Sequence, residues 1–172
     1  MSVARFALDQ NFPTPIINVL REYLVEAELV SIRDIDSRMP TLADWEILLA
    51  LHRDPAGWDG LVTTDSSMVK LPRELCVLLQ TKLTLVVAQA AGHDPLKATG
   101  LVLAHLPNIC KQTKAGIPQL WLLSAKARPH HDPWSLLARL ARHHGTKAGL
   151  LYKQHQLTSE ELVRDPLKSR GD

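Results

Sequence analysis

The sequence predicts an α/β fold: an open, mainly parallel five-stranded sheet with helices on both faces, followed by a C-terminal helical appendage. Two observations carry this. Short β-rich runs alternate along the chain with segments of helical period. The composition, 45% hydrophobic and 22% charged over 172 residues, lies in the ordinary globular range and suffices for one sizeable core.

The elements follow in order. "ARFAL" (4–8) is short, apolar and ends at Asp9, and 15–25 then sets Ile16, Leu20, Tyr23 and Leu24 on one helical face. "AELVSIRDI" (27–35) alternates as a strand, and 42–53 has helical period. "GLVTTD" (60–65) is the third strand, with a helix predicted over 66–81. "LTLVVAQA" (83–90), a helix over 95–112 and "IPQLWLLSA" (117–125) complete the pattern. Thr14-Pro15 and Asp94-Pro95 each put a capping side chain before a helix-starting proline, and Thr41-x-x-Asp44 has the form of a capping box. The alternation argues for right-handed βαβ units.

Residues 1–126 are thus assigned to the α/β domain. Residues 127–172 form a basic, His-rich appendage in which Pro129 and Pro133 precede an amphipathic helix around 134–144, and the last ten or so residues are expected to be disordered. Trp134, Leu137, Leu140 and Ala141 form an apolar stripe that suits packing on the parent domain or on a second copy of the chain.

Charge is uneven. Residues 1–110 hold 9 Lys+Arg against 13 Asp+Glu, whereas 111–172 hold 11 against 5. This suggests an acidic working face beside a basic, nucleic-acid-facing segment, or simply a soluble protein with a basic tail. Cys76 and Cys110 lie in apolar helical stretches without metal or redox spacing, which points to buried thiols in a reducing compartment. The N-terminal apolar stretch is too short for a signal peptide, and no run reaches the roughly 18 residues that span a bilayer. A cytoplasmic protein without a membrane partner is expected.

Ligands of open α/β sheets bind beyond the carboxyl ends of the strands. Asp9 ends the first predicted strand and Asp65 the third, and in the order 2-1-3-4-5 these strands are neighbours. Two facing carboxylates repel unless a cation lies between them, and hard oxygen ligands favour Mg²⁺ or Mn²⁺. Asp44 joins them as a third candidate because it shares a helix side with Ile47, Leu48 and Leu51. Glu46 stacks instead over Leu49, Ala50 and Arg53, as a partner for Arg53. Each acid alone has a bland explanation: Asp after a strand favours a turn, Asp44 serves the capping box, and Asp65 caps the next helix with Ser66 and Ser67. Asp59, in "GWDGLV", is most simply a turn residue.

These residues also resemble a family. "FALDQNFPTPIINVLREYL" resembles the "D-E-N-L-P" opening and first helix of PIN-like domains, the VapC-related group of metal-dependent nucleases. "VSIRDIDSRMPTLADWEILLALHR" resembles that group's "V-R-D-L … S-D-E-E-I-L" stretch, and "GLVTTDSSM" its "V-L-V-T-x-D-x-D-F". The match in order and spacing covers about residues 4–70. It implies that Asp9, Asp44 and Asp65 form a Mg²⁺- or Mn²⁺-binding catalytic cluster, with Asn11 close by and Asp34 near the end of the second strand. It further implies RNA as the substrate, with an antitoxin-like protein partner and a homodimer as associated expectations. Two departures stand out: Gln10 replaces the family's Glu and Ser67 its second Asp, while Met68 replaces an aromatic.

A basic surface must hold the nucleic acid, and Lys126, Arg128, Arg139 and Arg142 are the substrate-binding candidates, with Lys111, Lys114 and Lys147 also available. His130, His131, His143, His144 and His155 crowd the appendage, but without i, i+4 pairs or a supporting cysteine they read as solvated or phosphate-contacting. Two other readings remain. One is a PIN-like interaction or regulatory protein whose site has decayed at Gln10 and Ser67. The other is a receiver-like phosphotransfer domain, which needs two acids at the first strand and a lysine after the last, where only Lys126 is available.

Overall fold

The structure is a computed structural model that describes residues 3–12, 14–91, 94–124 and 130–168. Strands β1 (Ala4–Leu8), β2 (Ala27–Ser31), β3 (Gly60–Thr63), β4 (Thr84–Ala88), β5 (Gln119–Leu123) and β6 (His130–His131) form one sheet in the order β2-β1-β3-β4-β5-β6. The first five are parallel, with Phe6 opposite both Leu29 and Gly60, and the two-residue β6 runs antiparallel to β5. The sheet is therefore α/β and mostly parallel, and it carries one strand more than predicted.

Local chemistry explains the shifted boundaries. β2 stops at Ser31 because the Ser31 hydroxyl accepts the Arg33 N–H at 3.3 Å and turns Ile32–Ile35 into the short helix α2. The helix expected over 66–81 is split into a 3-10 turn, Ser66–Val69, and a helix at Pro72–Thr81, since proline opens a helix but does not continue one. The helix expected over 42–53 starts at Asp44. Thr41 does not cap it, because its hydroxyl donates to the Arg38 carbonyl at 2.8 Å, and Glu46 instead accepts the Ala43 N–H at 2.8 Å. Asp94 does cap its helix, accepting from the Lys97 N–H at 3.0 Å.

The remaining helices are α1 (Thr14–Tyr23), α3 (Asp44–Arg53), α4 (Pro72–Thr81), α5 (Pro95–Gln112), α6 (Pro133–His143), α7 (Ala148–His155) and α8 (Ser159–Val163). Alternate strand residues feed two cores. Phe6, Leu8, Val62, Val86, Ala88, Trp121 and Leu123 meet α1 and α5 on one face. Ala7, Leu61, Leu85, Val87, Leu120 and Leu122 meet α3, α4, α6 and α7 on the other. The connections β2–α3–β3, β3–α4–β4 and β4–α5–β5 all step the same way along the sheet, yet α5 lies on the face opposite α3 and α4. The β4–α5–β5 unit thus has the opposite hand to its predecessors, a departure from the uniform right-handed series expected.

That swap leaves the face over β4 and β5 for the C-terminal segment to cover. Leu137 and Ala141 on α6 and Leu151 on α7 enter the core, and α6 and α7 pack on α4. Leu137 is fully buried, an effect of roughly 1.5–3 kcal/mol for a side chain of its size. Leu137, Leu140 and Ala141 of the α6 stripe therefore pack on the protein itself, whereas Trp134, edge-on to Tyr152 at 5.6 Å, stays 42% exposed. Gln80 binds both backbone groups of Leu157, at 3.0 and 2.8 Å, and the Leu167 carbonyl accepts from Arg38 at 3.1 Å, while residues 169–172 of the expected disordered end lie outside the described residues. Among the described residues no helix is long and apolar enough to cross a membrane.

Candidate functional site at the carboxyl edge of the sheet

Asp9 follows β1, and its N–H donates to the Val62 carbonyl at 2.9 Å, so the β1–β3 pairing continues one step into the loop and fixes the aspartate's backbone. The side chain is buried at 5% exposure. Its Oδ2 accepts from the Thr63 hydroxyl at 2.7 Å and from Asn11 Nδ2 at 3.3 Å, while Oδ1 accepts the Gln10 N–H at 2.7 Å. Burial raises its pKa, the Thr63 and Gln10 donors partly offset this, and the charge of Asp65 raises it further.

Thr63, whose sequence context is that of an ordinary strand residue, joins the two strand-end acids. Its hydroxyl accepts the Asp65 N–H at 2.9 Å and donates its single proton to Asp9. Asp65 Oδ1 accepts the Ser67 N–H at 2.7 Å, so the capping role is real but takes one oxygen. Oδ2 has no hydrogen-bond donor among the described residues.

Asp44 is the first residue of α3 and is half-buried. Its carboxyl is pushed up to about 6, first by burial and then by the charges of Asp65, Asp9 and Glu74. The three predicted acids therefore act on one another at the edge where β1 and β3 end, the switch point of this strand order.

A fourth acid was not anticipated. Glu74, the third residue of α4, is buried at 7% exposure, and its Oε2 has no partner. Burial raises its pKa, while its own backbone N–H, Arg73 and His155 of α7 act in the opposite direction. A signal was legible: Glu74, Val77, Leu78 and Thr81 share the i, i+3, i+4, i+7 spacing of a buried helical face, the same test that singled out Asp44.

The other candidates divide. Asn11 is beside Asp9 as expected, donating to it. Asp34 lies near the end of β2 as expected, on α2, exposed, with its carboxylate 3.7 Å from Arg21. Arg53 reaches the Leu162 carbonyl at 3.3 Å. Lys126 and Arg128 lie outside the described residues. Arg139 and Arg142 are exposed on α6. Lys111 and Lys114 sit at and after the end of α5, which runs back to the amino edge, and so stand away from the acids. The His130 ring lies tilted against Trp121, with centroids 4.7 Å apart.

The predicted donor set is all carboxylate oxygen, the chemistry that suits Mg²⁺ or Mn²⁺. Among the described residues no group of three or more His, Cys, Asp or Glu is gathered closely enough to hold a metal as it stands. Comparison with protein-family models, with curated proteins and with solved structures finds no match.

Proposed function

We propose that this chain is a Mg²⁺- or Mn²⁺-dependent ribonuclease of PIN-like architecture, with Asp9, Asp44 and Asp65 as metal-holding and catalytic residues. The observation that carries the reading is the placement of Asp9 and Asp65 at the ends of β1 and β3, joined through the Thr63 hydroxyl, with Asp44 pushed up to about 6 first by burial and then by the charges of Asp65, Asp9 and Glu74. Partly buried carboxylates gathered at one strand edge are stabilised by a common counter-charge, and a hard divalent cation would supply one.

A bound divalent ion supplies charge neutralisation at phosphate and a water of lowered pKa. The protein's own part is positional. The Thr63 hydroxyl and Gln10 N–H aim the Asp9 carboxylate, Ser67 aims Asp65, and the start of α3 presents Asp44. Asn11 stands beside Asp9 for contact with substrate, and Lys126, Arg128, Arg139 and Arg142 are the cations assigned to the phosphate backbone. RNA as substrate, an antitoxin-like protein partner and a homodimer follow from the resemblance.

Incubation of the purified protein with Mn²⁺ and a mixed RNA pool tests the reading. Cleavage is expected, dependent on Mn²⁺ and lost in Asp9→Asn and Asp65→Asn variants whose circular dichroism is unchanged. If no RNA is cut and the variants bind Mn²⁺ as wild type does, the reading fails. Clear RNA binding without cleavage or metal binding would favour the second reading, an interaction protein with a decayed site, which Gln10 and Ser67 motivate.

A further inference from the structure

We propose that α6, the turn after it and α7 form a helix-turn-helix surface that binds double-stranded DNA, with the outward side of α7 turned to the major groove. The proposal stands apart from the metal-dependent reading above and is tested on residues which that reading does not assign.

α6 (Pro133–His143) and α7 (Ala148–His155) are joined by four residues, 144–147, in which Gly145 takes a left-handed φ of 65°. A three- or four-residue turn containing glycine is the connection of the helix-turn-helix unit, whose second helix enters the major groove. Backbone hydrogen bonds fix this turn, from the His144 N–H to the Leu140 carbonyl at 3.0 Å, from Gly145 to Arg142 at 3.1 Å and from Thr146 to Ala141 at 2.9 Å. Leu137 and Ala141 of α6 and Leu151 of α7 anchor the pair in the core. The outward side of α7 then presents Gly149, Leu150, Lys153 and Gln154, with Lys147 exposed just before it. Their chemistry suits a duplex: lysine contacts phosphate or guanine, glutamine pairs with adenine, and an apolar side chain meets the thymine methyl.

Three observations set this surface apart from an ordinary solvated face. Between Asp132 and Glu160 the chain has no acidic residue but carries Arg139, Arg142, Lys147, Lys153 and three histidines. These four cations make no side-chain hydrogen bond or ion pair among the described residues, whereas Arg5, Arg21, Arg38 and Arg73 each hold an acid. Clustered cations without protein partners are the footprint of a phosphate backbone. Secondly, Arg142 and His143 complement the dipole at the end of α6, but Lys147 precedes α7, at the end where a helix favours an acid, so local helix chemistry does not account for it. Thirdly, glycine weakens a helix, yet a Cβ at Gly149 would meet nothing within 4 Å, so packing does not call for it. Its bare backbone lets a ligand approach closely.

Fluorescence anisotropy of a labelled mixed-sequence DNA duplex of about 20 base pairs, titrated with the full chain in EDTA, decides. Wild type is expected to bind with a dissociation constant of roughly 1–100 µM near physiological salt, weakening as salt rises. Lys147→Ala and Lys153→Ala are each expected to weaken binding and to reduce the slope of log affinity against log salt by about one. Gly149→Leu is expected to weaken binding about tenfold or more, with a thermal midpoint unchanged or higher. Absence of duplex binding by wild type overturns the proposal, as does unchanged affinity in both lysine variants. Single-stranded RNA that binds and loses affinity in these variants, beside a duplex that does not bind, overturns it too and gives the surface to RNA. Because EDTA removes any divalent ion, failure of the metal-dependent reading leaves this test intact. Should Lys147→Ala fold poorly, Lys147→Gln carries the same comparison, with weakened binding expected and unchanged binding overturning the proposal.

Discussion

At the amino edge of the sheet, Asp59 Oδ2 accepts the Arg5 N–H at 2.8 Å, Asp54 accepts from Trp58 Nε1 at 2.7 Å and from the Ala56 N–H at 2.9 Å, and Glu28 meets Arg5 Nε at 2.7 Å. The Arg5 guanidinium then lies 4.6 Å over the Trp58 ring. At the carboxyl edge, Asp9, Asp44 and Asp65 form no ion pair with a cation among the described residues, and Asp9 and Asp44 have raised pKa values, first through burial. The same residue types thus serve opposite ends of the same strands. Where each acid has its donor or cation, it ties the chain together. Where acids face acids in partial burial, they cost stability, and a protein retains such a cost where function uses it.

The largest effect that would break this contrast is catalytic. Asp9→Asn is expected to lower Mn²⁺-dependent RNA cleavage by about a hundredfold or more, whereas Asp59→Asn leaves turnover per folded molecule unchanged. Equal losses at the two edges, measured by gel-resolved cleavage rates, would remove the distinction. Next comes stability. Asp59→Ala strips the acceptor from the Arg5 N–H and is expected to cost about 1–3 kcal/mol in denaturant melts. Asp44→Asn is expected to do the reverse in metal-free protein, raising the midpoint by roughly 2–4 °C, since it removes a half-exposed charge from the cluster.

The pH dependence sharpens the same point. A carboxyl whose folded pKa is raised binds protons more tightly folded than unfolded, so stability falls as pH rises between the two values. For Asp44 that window runs from the ordinary 3.8 to about 6, and Asp9 and Glu74 act in the same direction. Metal-free wild type is therefore expected to lose stability across this window. The loss should be smaller in Asp44→Asn and reversed by saturating Mn²⁺, as read from thermal midpoints. The smallest effect belongs to the amino edge: Glu28→Gln removes a largely exposed ion pair and is expected to cost about 0.2–1 kcal/mol, less at high salt.

Much of this arrangement was legible along the chain. Asp9 and Asp65 were found because an apolar run that ends in an acid marks a strand end, and Asp44 because its spacing to Ile47, Leu48 and Leu51 puts it on a buried side. Glu74 was missed because 66–81 read as one helix, which hides that Pro72 restarts the helix and puts Glu74 in a first turn. Thr63 was missed because a threonine in "GLVTTD" is an ordinary β-former until its hydroxyl is seen between two acids. α8 had a signature in Thr158-x-x-Glu161, which the structure uses as a reciprocal cap at 3.2 and 2.8 Å.

The sequence by itself determined the five parallel strands, the helices between them and the acids at their ends, because periods of 2 and 3.6 and the chemistry of caps act within a few residues. Only the tertiary structure decided that α5 crosses on the face of α1, that α6 and α7 fill the space it leaves, and that Glu74 shares an edge with Asp44. Those outcomes depend on which apolar faces bury one another across dozens of residues, and no local pattern encodes that choice.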